Sequence, residues 1–273
     1  MSESAVEKFR ELHASGCFVL PNPWDAGTAV YLAHLGFKAL ATTSAGFAFS
    51  RGFPDAPGVM AVDDALAHCG DIVRATALPV NADFQNGYAD DPEAVAGNVA
   101  RCVATGVAGL SIEDATGNDA TPLYDIQLAV ERIKAARQAI DASGIPVVLT
   151  GRCEAYLVDD PNAFAVSLER LTAYSEAGAD CLYAPFVTDP REIEAIVKAV
   201  SPKPVNVVVS KPDPNLTVAK LTDLGVRRIS VGAALARVAW GSFMRAAQSI
   251  NATGSFDALG DAASFAELNQ IFQ

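Results

Sequence analysis

An amphipathic helical stretch that ends in glycine, followed within a few residues by a short apolar run, recurs along this chain and restricts its fold more than any other feature. The pattern appears in "LGFKALATTS" from Leu35, "TGVAGLSIED" from Thr105, "SGIPVVLTGR" from Ser143, "AGADCLYAPF" from Ala177 and "LGVRRISVGA" from Leu224. Glycine ends a helix by taking the left-handed conformation, and a β-branched run bounded this way fits a strand buried on both faces. "GCFVLPN" from Gly16, "LPVNADF" from Leu78 and "KPVNVVV" from Lys203 bring the expected strands to eight. Helical spacing lies between them, as in Ile126, Val130, Ile133, Ala136 and Ile140, and again in Phe164, Leu168 and Leu171. Eight such units in about 230 residues predict an α/β fold, a (β/α)8 TIM barrel. An open doubly wound sheet is disfavoured because no Gly-x-Gly-x-x-Gly follows the first strand.

No Pro/Gly/Ser-rich linker divides the chain, so residues 1–273 are expected to form one barrel domain. The tail from about Ala233 is helical and longer than one barrel helix requires, and its Trp240, Phe243, Phe256 and Phe265 suggest packing against a partner subunit. Lys and Arg are scattered and the net charge is −12, which argues against nucleic acid and anionic membranes as partners. No stretch approaches the ~20 apolar residues of a membrane span, and the first sixteen residues form a polar helix without an apolar signal core, so a cytoplasmic protein is expected. Cys17, Cys69, Cys102, Cys153 and Cys181 are too dispersed for a zinc or redox pair and read as free thiols. His13, His34 and His68 all fall in expected helices near the start, so a histidine general base is not anticipated.

Chemistry in such barrels collects at the carboxyl ends of the strands. Those ends read "PNPWD", "TTSAG", "NADFQNGY", "SIEDATGND", "TGRCEAY" and "VNVVVSK", which brings Asn22, Ser44, Asn81, Asp83, Glu113, Asp114, Arg152 and Asn206 toward one mouth. Asp55 follows in the loop after the second strand. Carboxylates and amide oxygens without His or Cys suit a hard cation, magnesium rather than zinc. Polar caps on the strand ends are the bland alternative. Arg152 suits a substrate carboxylate because its fork binds two oxygens, the alternative being an ion pair with Glu113 or Glu154. Backbone N–H groups of Ser44, Ala45 and Gly46 can form an anion-binding nest. Metal, arginine and nest together describe a site for a small dianion or 2-oxo acid.

"NPWDAGTA", "TTSAG" followed by "FPD", "VNADFQNGYAD", "GLSIEDAT", "LYD", "GRCEAY", "AGADCLYAP" and "PVNVV" occur in the order seen in the isocitrate lyase/phosphoenolpyruvate mutase superfamily. The chain is similar to that superfamily from about Phe18 to Gly232, most of all to its phosphonomutase-like branch, which includes oxaloacetate decarboxylase-like and 2-methylisocitrate lyase-like proteins. The resemblance implies a barrel that binds Mg²⁺, with Mn²⁺ as the alternative, and a small 2-oxo acid or dicarboxylate. It also implies a homotetramer whose subunits exchange C-terminal helices. By the same resemblance Asp83 is the direct metal ligand, while Asp55, Asn81 and Glu113 hold the metal's waters. Ser44, Ala45 and Gly46 form the carboxylate and oxyanion cradle, Arg152 is the substrate arginine, and Asn206 occupies the matching position on strand 7. Asp55, Glu113 and Arg152 carry the catalytic roles.

Three departures bear on the reaction. Asn81 stands where many relatives carry Asp, and the usual Ala-Arg-Thr-Asp-Ala has become Gly151-Arg152-Cys153-Glu154-Ala155. The loop 115–125, "ATGNDATPLYD", has neither the Lys-Lys-Cys-Gly-His run of the carbon–carbon lyases nor the Lys-x-Asn gate of the mutases. Retro-aldol cleavage needs a base and an acid, and phosphoryl migration needs positive charge to hold the group in flight. Decarboxylation of an oxaloacetate-like acid needs mainly an electron sink, so a Mg²⁺-dependent decarboxylating lyase is the expected function. Carbon–carbon cleavage with Tyr88 or Lys211 as base, phosphorus–carbon chemistry, and 2-oxo acid binding without turnover are the alternatives.

Overall fold

The protein is described by a computed structural model covering residues 4–56 and 58–273. All eight expected strands form: β1 (Phe18–Leu20), β2 (Leu40–Ala41), β3 (Val80–Asp83), β4 (Gly109–Glu113), β5 (Val148–Arg152), β6 (Cys181–Tyr183), β7 (Val205–Val208) and β8 (Arg228–Ser230). They are parallel and hydrogen-bonded in the order β1-β8-β7-β6-β5-β4-β3-β2. The remaining seam, between β1 and β2, is spanned by a bond from Ala41 N–H to Pro21 O at 3.0 Å. Asn22 reinforces it: Nδ2 donates to Thr42 O, and Oδ1 accepts from Val231 and Gly232 N–H. The result is a nearly closed barrel ringed by helices.

Local sequence explains where the helices begin and end. Asp91 and Asp189 cap the helices Pro92–Ala104 and Pro190–Val200, each with proline in the first turn, where its missing N–H costs no intrahelical bond. The helix Ile126–Ser143 stops at Gly144, whose φ of 70° lies in the left-handed region. The main core fills the layer between strands and helices, with Phe84, Leu110, Leu149, Leu171 and Ile193 buried there.

The first helix, Ala5–Ala14, does more than its polar composition suggests. It lies across the bottom of the barrel and places buried Phe9 and His13 against Phe18, in a cluster with Leu20, Ala108 and Val148. The barrel is therefore closed below and open above. After β8 come the helix Ala234–Thr253 and, following a 3₁₀ turn, the short helix Phe265–Ile271. Val238, Phe243, Phe256 and Phe265 along this tail are exposed, Phe265 at 87%. No helix among the described residues is long and apolar enough to cross a membrane.

Candidate active site at the barrel mouth

Alternation along β3, β4 and β5 decides which strand-end residues point inward. Asp83, Glu113 and Arg152 do so, and they meet. Arg152 Nη1 lies 3.1 Å from Asp83 Oδ1 and 3.1 Å from Glu113 Oε2, while Nε donates to Glu154. The guanidinium rests over the Tyr183 ring, 5.2 Å from its centroid. Nη2 makes no hydrogen bond among the described residues. Ser44 fastens the other side of Asp83, with its N–H and hydroxyl reaching Oδ2 at 2.9 and 2.8 Å. Asp83 N–H in turn donates to Thr42 Oγ1.

Above this group a mouth cavity of about 150 Å³ is lined by Ser44, Asp55, Gln85, Asn86, Glu113, Ala115, Arg152 and Leu157. Its electrostatics are unbalanced, with Asp55, Asp83, Glu113 and Glu154 facing one arginine. Loss of water and the neighbouring carboxylates outweigh the pull of Arg152 and push the Glu113 carboxyl up to about 8. Burial, and then the Asp83 charge, raises Asp55 as well, and burial raises Glu154, whose Oε2 has no partner among the described residues. Arg152 is held well above its ordinary value by Glu113 and Glu154 despite its burial.

Several residues expected at the mouth have other positions. Asp114, one step beyond Glu113, faces outward. It accepts from Glu154 N–H at 2.7 Å, Tyr174 hydroxyl at 2.6 Å and Arg170 at 3.1 Å, so it secures the ends of β4 and β5 from behind. Gly151 belongs to that packing, because a Cβ there would stand 2.9 Å from Tyr174 Cβ. This accounts for glycine before Arg152. The expected Ser44–Gly46 nest is partly committed to bonds within the protein. These residues form the first turn of a short helix capped by Thr43, and the N–H groups of Ser44 and Gly46 are already given to Asp83 and Thr43 Oγ1.

Asn81 and Asn206 lie deeper, on the wall of a second cavity of about 50 Å³ inside the barrel, which Asp83 and Arg152 border from above. Asn206 is tied to Ser230 Oγ at 3.0 Å and to Arg228 Nε at 2.8 Å. Asn81 Oδ1 is buried and has no hydrogen-bond partner among the described residues. Tyr88 and Lys211 line neither cavity, and burial raises the Tyr88 phenol far beyond the range of a base. None of the three histidines borders the mouth: His13 is at the floor, His68 is stacked on Phe47 with centroids 4.0 Å apart, and His34 lies against Tyr31.

Sequence reading missed Glu154 as part of the mouth, and Tyr183, Gln85 and Arg228. Arg228 is the first residue of β8 and follows Arg227, so it carries no local signal of burial. Gln85 has a positive φ of 44°, and its carbonyl accepts from Glu113 N–H at 3.0 Å. The loop carrying it is clamped by buried Arg132, which donates to the carbonyls of Asn86, Ala89 and Asp90 and stacks on Tyr124 at 4.0 Å. The loop 115–125 is a self-bonded hairpin, with an Ala115–Leu123 bridge and a bond from Tyr124 N–H to Asp114 O.

The donor set fits a hard divalent cation. It consists of oxygens only, it carries excess negative charge, and it includes the unpartnered Asn81 Oδ1. Among the described residues no three His, Cys, Asp or Glu side chains close into a cage.

Residues 9–251 match the family model described as phosphoenolpyruvate phosphomutase. The chain belongs to this family. The family chain shares 47% identity with a Burkholderia cenocepacia J2315 protein described provisionally as a lyase/mutase, whose crystal structure superimposes with a TM-score of 0.93 over 98% of this chain and 95% of that one. The 2-methylisocitrate lyase of Shewanella oneidensis is 32% identical over 215 residues, covering 73% of this chain and 70% of its own. The oxaloacetate decarboxylase of Rhodopseudomonas palustris is 34% identical over 156 residues, 54% of this chain and 49% of its own.

Proposed function

We propose that this family member is a divalent-cation-dependent lyase that decarboxylates a small oxaloacetate-like 2-oxo acid. The observation that carries the reading is Arg152, one guanidinium among four carboxylates whose Nη2 makes no hydrogen bond among the described residues. Asp83, Asp55, Asn81 and Glu113 would hold Mg²⁺ or Mn²⁺. When bound, the cation would supply the positive charge that draws electrons from the breaking carbon–carbon bond. Arg152 Nη2 would bind a substrate carboxylate, and Nη1 and Nε, fixed by Asp83, Glu113 and Glu154, would orient it. Ser44 keeps Asp83 in place. Asn206 and the Ser44–Gly46 turn would complete the substrate contacts, within the limits set by their existing bonds.

The 2-methylisocitrate lyase relatives favour carbon–carbon cleavage as a second reading. It needs a base for a hydroxyl proton, and neither Tyr88 nor Lys211 lines the mouth. The deciding experiment incubates the protein with oxaloacetate, methylisocitrate or phosphonopyruvate, with and without Mg²⁺, and identifies the products. Pyruvate and carbon dioxide from oxaloacetate are expected; oxalate and acetate would indicate hydrolytic cleavage instead. No turnover of any substrate above the metal-only background would leave a binding protein.

The exposed tail supports a homo-oligomer, read here as a tetramer with exchanged C-terminal helices. Light scattering on a chain truncated from Ala247 should show fewer subunits or aggregation; an unchanged particle would remove the tail from the interface.

A further inference from the structure

Arg228 takes no part in the chemistry above, yet one wall of the barrel interior is ordered around it. It is 2% exposed, and its recorded partners are all neutral: Asn206 Oδ1 accepts from Nε at 2.8 Å, Thr150 Oγ1 from Nη2 at 3.1 Å and His13 Nε2 from Nη1 at 3.3 Å. His13 can only accept there, because its Nδ1 lies 2.7 Å from Phe9 O and donates to it. The guanidinium is thus anchored to the helix Ala5–Ala14 and to β5, with Nε set against Asn206 on β7. Asn206 and Arg228 are register partners on β7 and β8, so their side chains start at the same level of the barrel.

A buried carboxamide can be turned either way round, and the turn decides what it offers to a neighbour. A guanidinium has N–H donors and no acceptor, so Arg228 admits only Oδ1 beside it; the reversed amide would set two donors face to face. Nδ2 is thereby sent to Ser230 Oγ, 3.0 Å away. Ser230, accepting from Nδ2, keeps its own hydrogen for another partner. Burial pushes the Tyr183 phenol up to about 12, while Arg152 and the Ser230 hydroxyl pull it back, which is the effect of a hydroxyl that donates. Nδ2 carries two N–H groups and one is used, so one remains without an acceptor among the described residues. Asn206, Ser230 and Tyr183 all line the cavity of about 50 Å³ that Asp83 and Arg152 border. This wall presents donors, opposite the acceptors Asp83 and Asn81 Oδ1 on β3.

We propose that Arg228 is a positioning residue: it locks the Asn206 side chain with Nδ2 as the donor on the cavity wall, and so acts on the bound 2-oxo acid without touching it. The proposal rests on the 2-oxo acid reading and on Asn206 as a substrate contact. What Arg228 adds is the orientation of that contact, because asparagine alone can offer either its donor or its acceptor end.

A double-mutant cycle on oxaloacetate decarboxylation with Mg²⁺ tests it. Asn206→Ala should lower kcat/KM by about five- to tenfold, the scale of one hydrogen bond. Arg228→Met should do the same, with the same division between KM and kcat, and Arg228→Lys, which keeps a donor beside Oδ1, should recover most of the loss. In the Asn206→Ala background, Arg228→Met should change kcat/KM by less than about twofold. Losses that multiply, or a different division between KM and kcat, would make Arg228 a brace of the fold and overturn the proposal. Wild-type kinetics in Asn206→Ala would overturn it too and leave decarboxylation standing. If wild type does not turn over oxaloacetate, the decarboxylase reading fails, and the same cycle read as oxaloacetate affinity by calorimetry decides the positioning role; absence of binding as well sinks both. If Arg228→Met does not fold, Asn206→Asp decides, because it keeps an acceptor for Arg228 but replaces the Nδ2 donor. A folded Asn206→Asp protein as impaired as Asn206→Ala supports the proposal, and one with wild-type kinetics overturns it.

Discussion

Two buried arginines stand at opposite ends of one barrel interior, and their surroundings are opposite. Arg152 at the mouth touches Asp83, Glu113 and Glu154, and Asp55 is nearby. Arg228 at the floor touches an amide, a hydroxyl and a neutral imidazole. At the mouth negative charge exceeds positive; at the floor, among the described residues, a positive charge has only neutral partners. The same side chain therefore sits in two opposite environments set by its neighbours, and the barrel interior is a graded field rather than a uniformly polar pocket.

The sharpest way to break this contrast is to delete each guanidinium and compare stabilities. Arg152→Met leaves several carboxylates facing one another and should cost about 3–5 kcal/mol at neutral pH by chemical denaturation, the scale for removing one partner of a buried ion pair. Equal losses for the matching Arg228 variant would mean that the two settings do not differ energetically.

Next in size is Asp83→Ala, which removes a partner of Arg152 and a proposed metal ligand. Turnover should fall by roughly 10²–10³, about the loss on removing one electrostatic stabiliser, while the circular dichroism spectrum is kept. Activity that persists in this variant after chelation would dissociate the mouth's charge excess from catalysis.

Arg228→Met should cost less than Arg152→Met, about 1–3 kcal/mol. It leaves Asn206 Oδ1, Thr150 Oγ1 and His13 Nε2 short of a donor but also removes an unpaired charge. A loss as large as that of Arg152→Met would show that the floor arginine has an anionic partner in the free protein.

The two arginines also mark what was legible in the sequence. The glycine-ended helices and apolar runs located all eight strands, because each strand is buried on both faces and leaves a continuous signal. Arg152 stood out for the same reason: a charge at the end of such a run has to face something. Strand alternation separates Glu113 from its neighbour Asp114, but composition alone grouped them, and only the packing of Tyr174 and Arg170 shows that Asp114 faces outward. Arg228 lies at the start of β8 beside Arg227, in a position that reads as the polar edge of a strand. Its burial depends on the first helix closing the barrel floor, a contact between residues 13 and 228 that no local pattern encodes.

The smallest expected effect is also the most specific, because the two ends should respond to pH in opposite directions. At the mouth the folded protein holds Glu113 at about 8, above its unfolded value near 4.5. The stability this gives is fully present below about pH 4.5 and is lost as pH rises through 8. At the floor His13 is held at about 3, below its unfolded value near 6.5. Its contribution is fully present above about pH 6.5 and is lost as pH falls toward 3. Melting temperatures of the metal-free protein across this range should therefore fall by a few degrees on the alkaline side relative to Glu113→Gln, and on the acid side relative to His13→Gln. The difference curves isolate each group from the other titrating carboxylates. Adding Mg²⁺ should flatten the Glu113 limb, because a bound cation favours the ionised carboxyl, and should leave the His13 limb unchanged. If Mg²⁺ instead shifts the His13 limb and spares that of Glu113, the cation binds toward the floor, and the assignment of the two arginines has to be exchanged.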